Sequence, residues 1–349
     1  MLGSETRSER RGDCPSLVGH FLRMTRVRSA RLGTLARRVV SASRVRLARA
    51  GLVPGSLDPR LVWIFGSPRS GSTWLLQLFA EHRAVVPVNE PLIGWYLGVC
   101  ISDLGADPAS LDLDNFTLSR LGRGDRSNIF SNDFRDVWLP ALGRLLRTRF
   151  YVHAIRCPSR VPLSRTLIAI KEPNGSQSAD LIMAALPRAR LLFLLRDGRD
   201  VVDSELAASL KDGWVTREFP GAPTVSPDDR LAFVTNSAYK WLWRTEVVQR
   251  AFAEHQGPKY LVRYENILHD PFEELRSLFA WLGLEVSDHE LNEWIRRNSF
   301  GELPAELRGP DKFFRAAAPG LWRTNLTAEE NAAVDAVIGR KLHELGYHG

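Results

Sequence analysis

At 349 residues, 44% apolar and 25% charged, the chain has the composition of a folded domain, not of a disordered segment or a disulfide scaffold. No run approaches the roughly 18 apolar residues of a membrane span, and Cys14, Cys100 and Cys157 are too far apart for a zinc site or a disulfide framework. The net charge of +7 is concentrated in residues 1–58, where twelve arginines face four acids; the rest is near neutral and does not read as a nucleic-acid binder.

The chain divides near residue 58 into a basic arm, 1–58, and a body, 59–349. The arm has no acid between Cys14 and Leu57, and Leu17, Phe21, Met24, Leu32, Leu35 and Val39 recur at helical spacing. An amphipathic helix on anionic lipid, a disordered tail and a transit peptide all fit. The body opens with a strand at Leu61–Phe65, a helix over Thr73–Ala80 and a strand at Ala84–Val88. Residues 95–165 give mixed signals, with helix around Asp133–Arg147. Alternation then resumes: strand Leu167–Ile170, helix Ser178–Leu186, strand Arg190–Leu195, helix Arg199–Leu210. A long helix, Leu231–His255, precedes a strand at Tyr260–Tyr264; helices follow at Pro271–Leu282, Ser287–Arg297 and Ala328–Leu345. This pattern predicts an α/β fold, a parallel β-sheet flanked by helices in three layers, of the P-loop nucleotide-binding type.

Three stretches carry chemistry. FGSPRSGSTW, Phe65 to Trp74, lies between strand and helix, where backbone N–H groups hold an anion. Gly66 and Gly71 allow the curve, Ser70, Ser72 and Thr73 add hydroxyls, and Arg69 adds a cation. Ser72 stands where a Walker lysine would be, and no Walker B strand is evident, so a donor less charged than a triphosphate, such as a sulfuryl group held without a metal, fits. LLFLLRDGRDVVDS places Arg196 at a strand's C-terminal end and Ser204 eight residues on, a clamp for a phosphate monoester. FRAAAPGLWRTNLT contributes Arg315, Gly320, Trp322 and Arg323 around a Pro-Gly turn.

Together these resemble the sulfotransferases that use 3′-phosphoadenosine 5′-phosphosulfate (PAPS), in particular the tyrosyl-protein, carbohydrate-type and bacterial members. The resemblance implies that Pro68–Thr73, with Arg69, hold the 5′-phosphosulfate, that Arg196 and Ser204 hold the 3′-phosphate, and that the loop of Arg315, Gly320 and Trp322 closes over it. Ala316 and Ala317 depart from the Lys-Gly of many cytosolic members, which implies either a weaker grip on the 3′-phosphate or compensation by Arg323. The resemblance implies Glu90 as general base, with His153 as the alternative, and Lys171 as the cation on the leaving group. Trp74 stacks on adenine or packs in the core, and Tyr264, with Glu265, supports the nucleotide. PAPS is the expected cosubstrate, with no metal required. The expected acceptor is a hydroxyl of a sugar, glycolipid, lipid or other metabolite. Trp95, Tyr96, Phe130, Phe134, Trp138 and Trp214 are the aromatic residues available to line its site. The expected location is cytoplasmic, with peripheral membrane contact through the arm and no nucleic-acid partner. A P-loop kinase, or a silent lipid- or carbohydrate-binding protein on the same fold, is the competing reading.

Overall fold

The computed structural model describes residues 34–50, 52–53, 57–94, 132–157, 159–219, 221–222, 224–309 and 312–348. Contacts divide the chain into two units, 1–43 and 44–349. That division is earlier than the break near residue 58 read from charge, because Ala48 and Leu57 are buried in the apolar core and Asp58 is buried against Arg147, which donates to both its oxygens at 2.7 and 2.8 Å. The sequence stretches expected to be basic arm up to residue 33, and the acceptor aromatics Trp95, Tyr96 and Phe130, lie outside the described residues. Helix α1 spans Thr34–Arg49.

Five parallel strands form one sheet: β1 (Leu61–Phe65), β2 (Val85–Asn89), β3 (Leu167–Lys171), β4 (Arg190–Leu195) and β5 (Lys259–Arg263), in the order β2-β3-β1-β4-β5. The central strands are apolar runs because both of their faces are covered. Alternate residues of β1 then go to opposite sides. Leu61, Trp63 and Phe65 enter one core, with α3 (Arg135–Arg156), α4 (Ala179–Ala185), α5 (Gly198–Ser209), α7 (Arg230–Glu254) and α12 (Ala328–Glu344). Between α5 and α7 lies the short α6 (Trp214–Glu218). Val62 and Ile64 enter the other core, with α2 (Ser72–Glu81), α8 (Tyr264–His269), α9 (Pro271–Leu282) and α10 (Asp288–Arg297). Helix α11 (Trp322–Asn325) follows the late loop. Trp63 anchors the first core, stacked on Phe65 with ring centres 5.6 Å apart and edge-on to Phe150 at 5.3 Å.

Two boundaries differ from the sequence reading in ways that matter. Pairing of β4 with β5 ends at Leu195 and Arg263, so Tyr264 is the first residue of a helix and not the last of a strand. Helix α3 runs on to Arg156 because Phe150, Tyr151 and Ala154 are buried along it, and so His153 is helical. Trp138, an expected acceptor aromatic, is buried in the first core, while Phe134 is exposed. No described helix is long and apolar enough to cross a membrane.

Candidate active site

The strand order reverses about β1: the chain steps to β2 and β3 on one side, then to β4 and β5 on the other. In an open parallel sheet, ligands bind beyond the C-terminal strand ends at such a point. All five strand ends deliver a predicted site residue there. The glycine-rich loop follows β1, Glu90 follows β2, Lys171 ends β3, Arg196 follows β4 and Tyr264 follows β5.

The loop is held from beneath. Gly66 donates its N–H to Ser176 Oγ at 3.0 Å, and Ser176 Oγ donates back to its carbonyl at 2.8 Å. A Cβ at Gly66 would lie 2.2 Å from the Leu194 carbonyl oxygen, so the loop can pass this close to β4 only with glycine. Gly71, at φ 82°, caps α2, and a Cβ there would enter the Tyr264 ring at 2.4 Å. The first turn of α2, Ser72 and Thr73 included, thus points its N–H groups into the loop. Pro68 and Arg69 form the outer curve, with Arg69 held at a left-handed φ of 65°. The hydroxyls of Ser67 and Ser70 are buried without a partner. Unmet buried donors at a helix N-terminus fit an anionic phosphosulfate.

Lys171 sits under this loop, 2% exposed. Its ammonium donates to Thr73 Oγ1 at 2.8 Å, to Asn89 Oδ1 at 3.1 Å and to Glu90 Oε1 at 2.5 Å. Burial pushes the ammonium below the ordinary lysine range, and the Glu90 carboxylate opposes that shift. Glu90 is fixed on its other oxygen by Asn174 Nδ2 at 2.8 Å, and its backbone is left-handed at φ 41°. Strained backbone concentrates at functional sites.

Glu172, which sequence reasoning passed over, completes this corner. It is fully buried and accepts the N–H groups of Leu92 at 3.0 Å and Gly94 at 3.2 Å, anchoring the segment just past Glu90. Burial pushes its carboxyl up to about 8, against the pull of those two N–H groups. A carboxylate next to a lysine reads in sequence as a surface pair; only the tight packing of Gly175 on its side chain reveals otherwise.

The opposite end of the site is a knot of two arginines and a serine. Arg196 Nη1 donates to the Arg69 carbonyl at 2.6 Å, and its guanidinium lies 4.5 Å over the Tyr264 ring. Its Nε is buried without a partner. Arg69 Nε donates to Ser204 Oγ at 2.9 Å and Nη2 to the Phe313 carbonyl at 3.0 Å. The sequence reading places Arg69 on the 5′-phosphosulfate; here its guanidinium reaches Ser204 and lies between the rings of Trp214 and Phe313. Desolvation, with Arg196 close by, lowers its pKa to about 10.

The late loop is not drawn into this knot by its own side chains. Arg315 pairs with both carboxylate oxygens of Asp203, and Gly320 donates its N–H to Asp200 at 2.8 and 3.0 Å. Trp322 lies between the guanidinium groups of Arg199 at 4.2 Å and Arg323 at 4.4 Å. Trp74 is also apart from the loop: it packs in the second core and donates its indole N–H to the Asn298 carbonyl at 2.8 Å. His153 Nε2 is 3.3 Å from the carbonyl oxygen of Pro87, midway along β2. Burial lowers its pKa. Glu265 accepts the N–H of Asp197 at 2.9 Å and the hydroxyl of Tyr347 at 3.0 Å, so it braces the turn after β4. Among the described residues no cluster of His, Cys, Asp and Glu could hold a metal ion.

A glycine loop with unmet donors, a buried lysine beneath it and two arginines beside Ser204 meet at the C-terminal strand ends, a place with the donors and charge to hold an anionic group. Residues 59–288 match the sulfotransferase family, and the chain belongs to that family. It is 29% identical to nodulation protein NoeE of Sinorhizobium fredii over 83% of this chain and 66% of that protein, so it spans slightly less than two thirds of NoeE. It is 25% identical to carbohydrate sulfotransferase 5 of Mus musculus, over 84% of this chain and 82% of the mouse protein. Among solved structures, mouse sulfotransferase SULT7A1 complexed with PAP overlaps 84% of this chain and 91% of its own, at 14% identity and a TM-score of 0.48.

Proposed function

We propose that the protein transfers a sulfuryl group from PAPS to a hydroxyl of a carbohydrate. The observation that carries this reading is the Lys171 ammonium, buried beneath the glycine loop and bonded at once to Thr73 and Glu90. It joins the place where a phosphosulfate would rest to Glu90, a carboxylate at the C-terminal sheet edge. The carbohydrate part is supported by the carbohydrate sulfotransferase relative and by an aromatic wall beside Arg69. There Trp214 and Phe313 lie edge to face at 5.0 Å, a surface suited to the faces of sugar rings.

In this reading the donor's 5′-phosphosulfate takes the N–H groups of the loop and the hydroxyls of Ser67 and Ser70, and its 3′-phosphate takes Arg196 and Ser204. The acceptor's hydroxyl proton passes to Glu90 as its oxygen bonds to sulfur. The bond from sulfur to the 5′-phosphate oxygen breaks, leaving a sulfate ester and adenosine 3′,5′-bisphosphate. Lys171 meets the charge that grows on the leaving oxygen, a role best filled by a fixed, desolvated cation. Its present bond to Glu90 means that an arriving phosphosulfate competes for the ammonium and frees the carboxylate to act as base. The reading keeps the body in the cytoplasm, with residues 1–33 making peripheral contact with anionic lipid.

The test is direct. The full chain is incubated with sulfur-labelled PAPS and an oligosaccharide panel without added magnesium; label is expected on sugar. Phosphate label transferred from ATP instead, with none from PAPS, would establish the kinase reading.

A further inference from the structure

Lys240 and Arg244 have no part in the reaction above; Arg244 is buried and Lys240 half-buried. They lie on α7, which packs against α5, and share a helix face with Ser237 at spacings of three and four. Arg244 is 5% exposed; its Nη1 comes no nearer than 3.9 Å to Glu205 Oε1, and its Nε has no partner. Ser237 Oγ is buried without a partner as well. Lys240 makes no hydrogen bond or ion pair among the described residues.

The charges do not balance. Glu205, next to Ser204 on α5, is the one carboxylate among the described residues that acts on Arg69, Lys240 and Arg244 together, while burial lowers the proton affinity of all three. Arg69 belongs to the glycine loop. Two cations on α7 therefore share one carboxylate, and desolvating an unmatched cation is costly unless an anion arrives to meet it.

The position favours the acceptor over the donor. The turn at Pro173–Ser178 carries Asn174, which holds Glu90, and the same turn packs on α7. It also carries Gln177, buried with both its amide nitrogen and its amide oxygen unpartnered. Unpartnered polar groups therefore occur both on α7 and on the turn that holds the base.

We propose that Lys240 and Arg244 form an anion subsite for the acceptor, and that the acceptor is a sugar bearing a carboxylate or a sulfate ester near the hydroxyl that is modified. This rests on the sulfotransferase reading and narrows its substrate class. The Lys240 ammonium binds the anion from a flexible stem and Arg244 from a fixed one, with Ser237 as a neutral donor between them.

The experiment uses the full chain and three acceptor arms. One is an oligosaccharide of alternating uronic acid and N-acetylhexosamine, the second is its methyl ester, and the third is a neutral oligosaccharide with and without one sulfate ester. The quantity read is kcat/KM for label transfer from PAPS, with the melting shift given by adenosine 3′,5′-bisphosphate as a check on the donor site. A charge-assisted contact predicts a preference of about 10–100-fold for the anionic form over its neutral match. The arm that shows it tells carboxylate from sulfate ester. Lys240→Met, which breaks no bond, and Arg244→Met are each expected to bring that ratio toward one while the melting shift persists. Equal rates on charged and neutral acceptors in the unmodified chain overturn the subsite and leave the sulfotransferase reading standing. So does a Lys240→Met variant that keeps its preference, or one that loses the melting shift and so assigns the cations to the donor. No transfer to any arm removes the sulfotransferase reading and the subsite together.

Discussion

The loop after β1 and the late loop around Arg315 are built from similar residues, an arginine and a glycine ahead of a tryptophan, and both border α5. They differ in what is left over. In the first, Ser67 Oγ and Ser70 Oγ are buried with nothing to bond, as is the Nε of Arg196, which follows β4 and donates to the loop at the Arg69 carbonyl. In the second, Arg315 is matched by Asp203 and the Gly320 N–H by Asp200, whose carboxyl burial pushes up in pKa, and the Trp322 indole N–H is left without a partner. The first is a site short of its ligand's oxygens; the second is a latch that fastens residues 313–323 to α5. Residue type alone does not separate the two. What separates them is whether the protein supplies the counter-charge, because a buried polar group without a partner is unstable and a matched one holds structure.

The largest effect that sharpens this contrast is at Lys171. Lys171→Ala is expected to lower turnover about 10²–10³-fold, as loss of one oxyanion donor does, and to weaken PAPS binding as well, measured by steady-state kinetics and donor titration. Next comes the pair of arginines. Arg196→Ala should lower affinity for adenosine 3′,5′-bisphosphate about 10–100-fold, the worth of a charged hydrogen bond, and leave adenosine 5′-phosphate nearly unaffected. Arg315→Ala should instead cost about 3–5 kcal/mol of stability, because Asp203 would be buried without its cation, with only the Asn325 amide still donating to it. Asp203→Asn added to Arg315→Ala should recover most of that loss in denaturant unfolding. If Arg315→Ala proves stable and loses the nucleotide as severely as Arg196→Ala, the two loops are one clamp and the contrast fails.

A smaller effect follows from Glu172. Its folded-state pKa of about 8 lies above the ordinary carboxyl value. The stability it contributes is therefore full below the unfolded pKa and declines as pH rises toward 8, where the buried group ionises. The melting temperature of the unmodified chain should fall relative to Glu172→Gln between about pH 4.5 and 8. A difference that is flat with pH would mean that the group stays ionised throughout. The smallest effect on catalysis is at the arm: removing residues 1–33 should leave turnover on a soluble acceptor unchanged and weaken binding to anionic vesicles, most at low salt.

Much of the scaffold was legible from the sequence because the central strands, buried on both faces, carry unbroken apolar runs such as Leu61–Phe65 and residues 191–195. The strand-end residues followed, since Glu90, Lys171 and Arg196 each stand at the close of such a run. What was not legible depends on contacts between distant segments. Nothing near Asp200 or Asp203 announces that residues 315–320 will take up their charge. The start of α8 at Tyr264 carries no break signal, so β5 seemed one residue longer. The burial of Glu172 depends on the N–H groups of Leu92 and Gly94, eighty residues earlier in the chain. His153 stood as the alternative base because small-molecule cytosolic members of the family that the chain resembles use a histidine; in the structure α3 runs past it and sets its ring against the Pro87 carbonyl.

The central claim is that Glu90 takes the acceptor's proton, and its most direct test is single-turnover sulfuryl transfer at saturating PAPS in Glu90→Gln and His153→Ala. Glu90→Gln keeps the side chain's shape and its place beside Lys171 but removes the basicity. It is expected to slow transfer about 10²–10⁴-fold, the usual worth of a general base, with the melting shift from adenosine 3′,5′-bisphosphate intact, and His153→Ala is expected to retain most of its rate. Near-normal transfer in Glu90→Gln, with transfer abolished in His153→Ala while the donor stays bound, would contradict this account and make the histidine the base.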